Sequence, residues 1–298
     1  LLPVEDAVRL VEQSFLALAA KRAANQPRRR LHLATGSVLH YMAAGDADYF
    51  GAKIYSTHPR QGAHFLFLLY RADDARPLAI FEADYLGRIR TGAASALATR
   101  WMAREDARIL GIIGSGRQAR SQVDAIRAVR PLERLRAWSR SQANLRRFAE
   151  ECGIEPAASA EEAVRDADIV VTATNARDPV IDSRAIAPGA HINAMGSNQA
   201  TRRELPADLI TRAGRIAIDS MEQGRMESGD LLLAGEAAWS NVVELQEIVA
   251  GNVAGRVSPD EVTIFKSNGL AIEDVAVAVH VYEQARAAGV SRELPLLE

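Results

Sequence analysis

Val4, Val8, Val11, Phe15 and Leu18 recur at steps of three and four, which predicts an amphipathic helix over residues 3–24. Pro3 suits its first turn. Short β-type runs follow at 37–42, 49–55, 64–70 and 78–81, broken by Thr35-Gly36, Gly45-Asp46 and Asp73-Asp74, and they read as an antiparallel sheet. Residues 86–104 are rich in Ala and Leu without proline, so a helix is expected. The pattern then alternates: strand 109–113, helix 117–129, strand 135–138, helix 142–151 and strand 169–172, with further strands at 191–194, 216–219 and 263–265. That alternation predicts an α/β fold, a Rossmann doubly wound parallel sheet beside a smaller α+β unit with the antiparallel sheet. A second Ala/Val-rich helix between Gly269 and Gly289 falls too far along to belong to the parallel sheet. No repeat, low-complexity tract or flexible linker separates the units, so a cleft between closely packed units is the expected ligand site.

A chain of 298 residues can form two packed domains, and 48% hydrophobic with 25% charged residues matches an ordinary globular protein. A formal charge of -2 supplies no basic field, which argues against a nucleic-acid partner. Cys152 stands alone, so no internal disulfide can form, and a reducing cytoplasm is expected, with a buried or half-buried inert thiol. No apolar run approaches the roughly 18 to 20 residues of a membrane helix, and no signal sequence is read. The six histidines lack paired zinc-site spacing, so no metal is expected.

The firmest motif is the turn Gly114-Ser115-Gly116-Arg117-Gln118-Ala119, which follows an apolar strand and opens a helix. Gly114 permits a tight turn, Gly116 lets backbone amides approach a pyrophosphate, and Ala119 lets the helix pack near the strand. The helix N-terminus then favours the negative charge of a dinucleotide. The end of the second strand, Ala137-Trp138-Ser139-Arg140-Ser141, lacks the acid that would bind a ribose 2′-hydroxyl. Arg140 can pair with a 2′-phosphate and Ser139 or Ser141 can donate to it, which favours NADP(H) and leaves NAD(H) open. A solvated arginine at a helix start is the plainer reading.

Several further stretches, in order along nearly the whole chain, resemble the ornithine cyclodeaminase/mu-crystallin family: Gln26-Pro27-Arg28-Arg29, Gly51-Ala52-Lys53-Ile54, Arg88-Ile89-Arg90-Thr91-Gly92-Ala93-Ala94-Ser95, the glycine turn, Asn193-Ala194-Met195-Gly196-Ser197 and Phe265-Lys266-Ser267-Asn268-Gly269-Leu270. The resemblance implies a homodimer joined through the N-terminal sheet. Residues 1–104 with 269–298 would form a substrate-binding and dimerisation domain, and 105–268 the dinucleotide domain. It also implies that Lys53 and Arg90 lie near the nicotinamide, with Arg29 helping to hold a substrate carboxylate. Thr91, Thr174, Asn175, Met195, Gly196 and Ser267 are expected to line the cofactor. An α-amino or α-imino acid suits such a site, because a planar arginine fork holds its carboxylate through two hydrogen bonds. Each residue also has a plain structural reading, a half-buried strand lysine for Lys53 and a solvated face for Arg29.

Ornithine-cyclising members of the family carry an aspartate where this chain has Asn198, and an amide cannot act as a general base. A pocket glutamate is replaced by His40, which can relay a proton or can be a satisfied strand histidine. Cyclodeamination needs repeated proton transfers, whereas reduction of an imine by NADPH needs only the final hydride step. The leading expectation is therefore a ketimine reductase or amino-acid dehydrogenase, acting on Δ1-pyrroline-2-carboxylate, Δ1-piperideine-2-carboxylate or pyruvate plus ammonia. Ornithine cyclodeaminase, forming L-proline and ammonia with bound NAD, is the first alternative. A non-catalytic NADP(H)-binding protein resembling mu-crystallin is the second.

Overall fold

The computed structural model describes residues 2–292; residues 293–298, the end of the expected first unit, lie outside the described residues. Helix α1 (Val4–Ala19) buries Val8, Val11 and Phe15, the stripe marked by the helical spacing. It stops short of residue 24 because Lys21 adopts a left-handed φ of 57° and the chain turns into an edge strand. That edge comes in two pieces, β1 (Ala24–Asn25) and β2 (Arg29–His32), both antiparallel to β3 (Val38–Gly45). Between them residues 26–28 stand opposite only Met42 and Ala43, a bulge centred on Pro27, which has no amide to give to a ladder. The bulge turns Arg28 inward, where it is 3% exposed. A meander continues through β4 (Tyr49–His58), β5 (Gly62–Arg71) and β6 (Pro77–Glu82). Strict alternation puts Met42, Lys53, Tyr55, Phe67 and Leu69 on the buried face, and Leu39, Tyr41, Leu66 and Ile80 on an exposed one.

After α2 (Asp84–Met102) the chain builds a second sheet of eight strands, all parallel. They are β7 (Ile109–Ile113), β8 (Arg134–Trp138), β9 (Glu155–Pro156), β10 (Ile169–Thr172), β11 (His191–Ala194), β12 (Arg215–Ile218), β13 (Val242–Glu244) and β14 (Thr263–Lys266). Their order is β13-β12-β14-β11-β10-β7-β8-β9. The two edge strands β9 and β13 escape a reading by period because they hold only two and three residues. Helices α3 (Arg117–Arg127), α4 (Gln142–Cys152), α5 (Ala160–Val164), α6 (Ala207–Arg212), α7 (Met221–Glu227), α8 (Gly229–Leu232) and α9 (Leu245–Val249) occupy the connections, before α10 (Ala271–Ala287). Strand order reverses about β7, whose neighbours are β8 and β10, and such a reversal opens a crevice at the carboxyl ends of the strands.

Helix α10 returns across the molecule to pack on β3, β4 and β5 and against α1 and α2. Helix α2 lies between the sheets, touching β5 and α10 on one side and α3, β11 and β14 on the other. Its Gly92 stands so close to the Ser121 carbonyl of α3 that a Cβ there would overlap it. No helix among the described residues is long and apolar enough to cross a membrane, and no group of three His, Cys, Asp or Glu among them could hold a metal.

Candidate active site

The residues expected to hold a dinucleotide gather along one edge, the carboxyl ends of the parallel strands. Gly114 follows β7 with φ 121°, and a Cβ there would overlap the Ala173 carbonyl after β10. Gly116 forms the N-cap of α3 without a side-chain cap, and a Cβ there would meet only open space. The first amides of α3 are therefore free of a side-chain acceptor beside an open approach, which fits a pyrophosphate. Ala119 is fully buried against the sheet. Ser115 and Ser139 hydroxyls lie 2.9 Å apart, and Arg140 Nη2 donates to Asn175 Oδ1 at 3.3 Å. Ser141 is occupied as the N-cap of α4, accepting from the Asn144 amide at 3.3 Å. Arg117 turns away from the glycine turn and pairs with Asp84 at 2.6 Å, while Gln118 is exposed. Thr91, within α2, donates to the Gly87 carbonyl at 2.7 Å, and Ser267 is buried just beyond β14.

Facing this edge is a buried group of charges contributed mainly by the antiparallel sheet and the two long helices. Lys53, in the middle of β4, donates to Asp274 Oδ1 at 2.7 Å, and Arg90 Nε lies 3.4 Å from the same oxygen. Arg90 Nη1 donates to Glu273 Oε2 at 2.8 Å. A Cβ at Gly269 would overlap the Arg90 guanidinium, so Arg90 is packed against the turn that leaves β14. Arg28 pairs with Glu227 and donates to the Asn268 and Gly269 carbonyls at 2.9 and 3.3 Å. Arg30 reaches Glu227 at 2.6 Å and the Asn198 carbonyl at 2.8 Å. Asp219, just past β12, accepts from the Asn268 and Gly269 amides. The cations of the first sheet thus reach the loops that follow β11 and β14.

Burial pushes the Lys53 ammonium down to about 8, against the pull of Asp274 in the other direction. Burial also opposes the charge of Arg90, but the Asp274 and Glu273 carboxylates more than offset it and raise it above the usual guanidinium range. Glu273 is pushed up by burial, with Arg90 opposing. His40 falls to about 4, through burial and then the nearby Arg30 and Arg28. Its ring stacks on Tyr55 with centroids 4.2 Å apart, and its Nε2 lies 3.0 Å from Thr57 Oγ1. The neutral imidazole therefore prevails near neutrality. Arg28 Nε and the Asn268 side-chain amide are buried with no hydrogen-bond partner, as are the acceptors Asp219 Oδ1 and Asp274 Oδ2. Unpartnered donors and acceptors together suit a ligand that carries both, such as the carboxylate and the protonated nitrogen of an α-imino acid.

Lys53, Arg90 and His40 thus share one buried face, and the backbone of Asn198 is tied to that region through Arg30. Arg29 does not join them within the chain: it points to the outer face, is exposed, and its closest polar contact is Met226 Sδ at 3.4 Å. It lines a cavity of about 670 Å³ on that face with Tyr41, Ile54 and Glu222. Its neighbour Arg28 occupies the interior instead, because the bulge at Pro27 shifts the alternation by one residue. Asp274, Glu273, Asp219 and Glu227 were not anticipated; only the first two carried a signal, an acidic pair in the first turn of an otherwise apolar helix.

The sequence profile of the ornithine cyclodeaminase/mu-crystallin family matches residues 1–289. A Δ1-pyrroline-2-carboxylate reductase of Bacillus cereus is 36% identical over 309 residues, covering 96% of this chain and 94% of the relative. Among solved structures, the Δ1-pyrroline-2-carboxylate reductase of Thermococcus litoralis, in complex with NADH and L-proline, superposes with a TM-score of 0.93 at 33% identity, over 99% of this chain and 97% of that one. An archaeal alanine dehydrogenase dimer with bound NAD reaches 0.94 at 32% identity, covering 100% and 96%. With the glycine turn, the doubly wound sheet and the returning C-terminal helix in place, these matches establish that the chain belongs to the ornithine cyclodeaminase/mu-crystallin family.

Proposed function

We infer that the chain is an NAD(P)H-dependent oxidoreductase that reduces an α-imino acid to the amino acid, as a ketimine reductase or an amino-acid dehydrogenase. The observation that carries this reading is the Lys53–Asp274–Arg90 group, buried against the turn that leaves β14 and bordered by polar atoms without partners. Lys53 and Arg90 hold the substrate carboxylate and fix the α-carbon, and the surrounding apolar residues Met42, Phe65 and Tyr55 keep bulk water out. A bound dinucleotide would supply a hydride to the carbon of a substrate that enters as the iminium, already protonated on nitrogen, so the step needs no proton from the protein. Asp274 keeps the Lys53 ammonium oriented, and Asn198 offers an amide, which cannot act as a base. This set suits a single hydride step better than the proton shuttling of cyclodeamination. Of the two proteins that superpose on the chain, the reductase is named for a cyclic imino acid and the archaeal dehydrogenase for the amino acid alanine.

The finer assignments follow from the same residues. We read residues 105–268 as the dinucleotide unit and 1–104 with 269–298 as the substrate and dimer unit, supported by the packing of α10 on β3, β4 and β5. Exposed Leu39, Tyr41, Leu66 and Ile80 make one apolar sheet face, which suits a second copy of the chain. Arg140 beside Asn175, with no acid at the end of β8, favours NADP(H). The two solved relatives hold NADH and NAD, so the phosphate site is where this chain is expected to differ from them. Lone Cys152 suits a reducing cytoplasm.

The test is a pair of assays on the same preparation: NADPH oxidation with Δ1-pyrroline-2-carboxylate or Δ1-piperideine-2-carboxylate, and ammonia release from L-ornithine with NAD⁺. Ketimine turnover without ornithine turnover is expected. Ammonia release as the dominant activity would replace the reductase with a cyclodeaminase.

A further inference from the structure

Glu204 lies on the loop between β11 and α6, fully buried, and no step above uses it. Its carboxylate accepts from the Thr172 hydroxyl at 3.0 Å, the Thr174 amide and hydroxyl at 2.7 Å each, and the Gly196 amide at 2.6 Å. Thr172 ends β10 and Gly196 follows β11, so one side chain joins two neighbouring strand ends. A Cβ at Gly196 would overlap the Thr174 carbonyl and this carboxylate, which explains the glycine there. The Glu204 backbone is itself held, since the Glu204 and Leu205 amides donate to Asp230 Oδ1 at 2.7 and 2.8 Å. Asp230 Oδ2 lies 3.2 Å from Lys266 Nζ, and Lys266 donates to the Ser197 carbonyl at 2.6 Å. Three buried charges, Glu204, Asp230 and Lys266, therefore fasten the loops after β10 and β11 and the end of β14 to one another.

Burying charge is costly, and apolar side chains of similar volume commonly stabilise a core as well or better. What a carboxylate adds is several acceptor positions at fixed directions, which can draw the donors of two separate loops to one point. Those loops carry Thr174, Asn175, Met195 and Gly196. The first of them also abuts the glycine turn, through the contact of Gly114 with Ala173. We propose that Glu204 is a positioning residue for the dinucleotide, fixing the ends of β10 and β11 so that the cofactor meets a preformed edge. This inference rests on the reading that the dinucleotide binds along that edge.

The test is a fluorescence titration of NADPH and NADH into wild type, Glu204→Gln and Glu204→Asp, with a melting curve for each protein without ligand. Glutamine matches the volume but replaces one acceptor oxygen with an amide donor that faces amide donors. The dissociation constant for the better cofactor is expected to rise about tenfold or more in Glu204→Gln, the size of one lost charge-assisted hydrogen bond. The KM for imino acid at saturating cofactor is expected to stay within about twofold, the split that separates positioning of the cofactor from general damage. A lower melting temperature with an unchanged dissociation constant would make Glu204 a packing residue only and overturn the proposal. If Glu204→Gln does not fold, the same rise is expected in Glu204→Asp, and its absence there overturns the proposal equally. Failure of wild type to bind either nucleotide would remove the cofactor reading itself, and the proposal with it.

Discussion

Lys53 Nζ donates to Asp274 Oδ1 at 2.7 Å, joining the centre of the antiparallel sheet to the first turn of the C-terminal helix across 221 positions of sequence. Both side chains are buried, and Arg90 shares the same carboxylate oxygen. A lysine held in this way keeps one orientation and leaves its other two ammonium protons for a further acceptor. The pair therefore does two tasks: it ties α10 to the sheet, and it presents a cation where the substrate carboxylate is proposed to sit.

Replacing Lys53 by Met should separate those tasks from cofactor binding. It removes one charge-assisted hydrogen bond to substrate and leaves Asp274 to Arg90, so kcat/KM for imino acid should fall about 100-fold or more. The NADPH dissociation constant should move less than about threefold, because the glycine turn is untouched. Steady-state kinetics and a fluorescence titration check this together, and a parallel loss of both would mean that Lys53 acts through the fold.

The pH dependence follows from the same lysine. Its charged form is favoured below about 8 and is lost as pH rises through that value, well before an ordinary lysine would titrate. We expect kcat/KM to hold on the acid side of that point and to decline above it. In Lys53→Arg, whose guanidinium stays charged, that decline should move to higher pH. An unmoved basic limb would assign the titration to another group.

Arg140→Ala tests the nucleotide preference. Loss of a guanidinium from a 2′-phosphate should weaken NADPH by about 10- to 100-fold and leave NADH within about twofold. An unchanged ratio of the two dissociation constants would return Arg140 to an exposed residue hydrogen-bonded to Asn175.

The elements legible in the sequence were those whose burial follows one period. The α1 stripe, the β3–β5 alternation and the buried runs at β7, β10 and β11 each declare themselves this way. The glycine turn was legible because Gly114 and Gly116 answer local demands, a left-handed turn and an open approach. Arg28 was hidden because one bulge exchanges the inward and outward positions of the edge strand, a shift that no period records. Glu204, Asp219 and Glu227 were hidden for another reason. The partners of Glu204 and Asp219 lie on strands and loops brought together only by the parallel sheet, the arginine partners of Glu227 lie about 200 residues away on the edge of the other sheet, and a lone acid ordinarily reads as solvated.

Two histidines should make stability fall in acid. His40 and His191 are buried and titrate at about 4 and about 3, below the 6.5 of an unfolded chain. Between those values the unfolded state binds more protons, so each contributes stability that is present above about 6.5 and is lost as pH falls toward the folded value. The difference in urea midpoint between wild type and His40→Gln should therefore change between about pH 7 and about pH 5, with wild type losing relative ground in acid. A difference that stays constant with pH would show that His40 does not titrate in this window.

The central claim is hydride delivery to the α-carbon of a bound imino acid, and isotope transfer tests it most directly. With NADPH carrying deuterium at the transferred C4 position and Δ1-pyrroline-2-carboxylate as acceptor, the account predicts proline with one deuterium at the α-carbon. It also predicts that this incorporation is suppressed in Lys53→Met. Turnover that leaves the α-carbon unlabelled with either deuterated face of the cofactor, or no turnover of cyclic or open imino acids by a protein that binds NADPH, would contradict it.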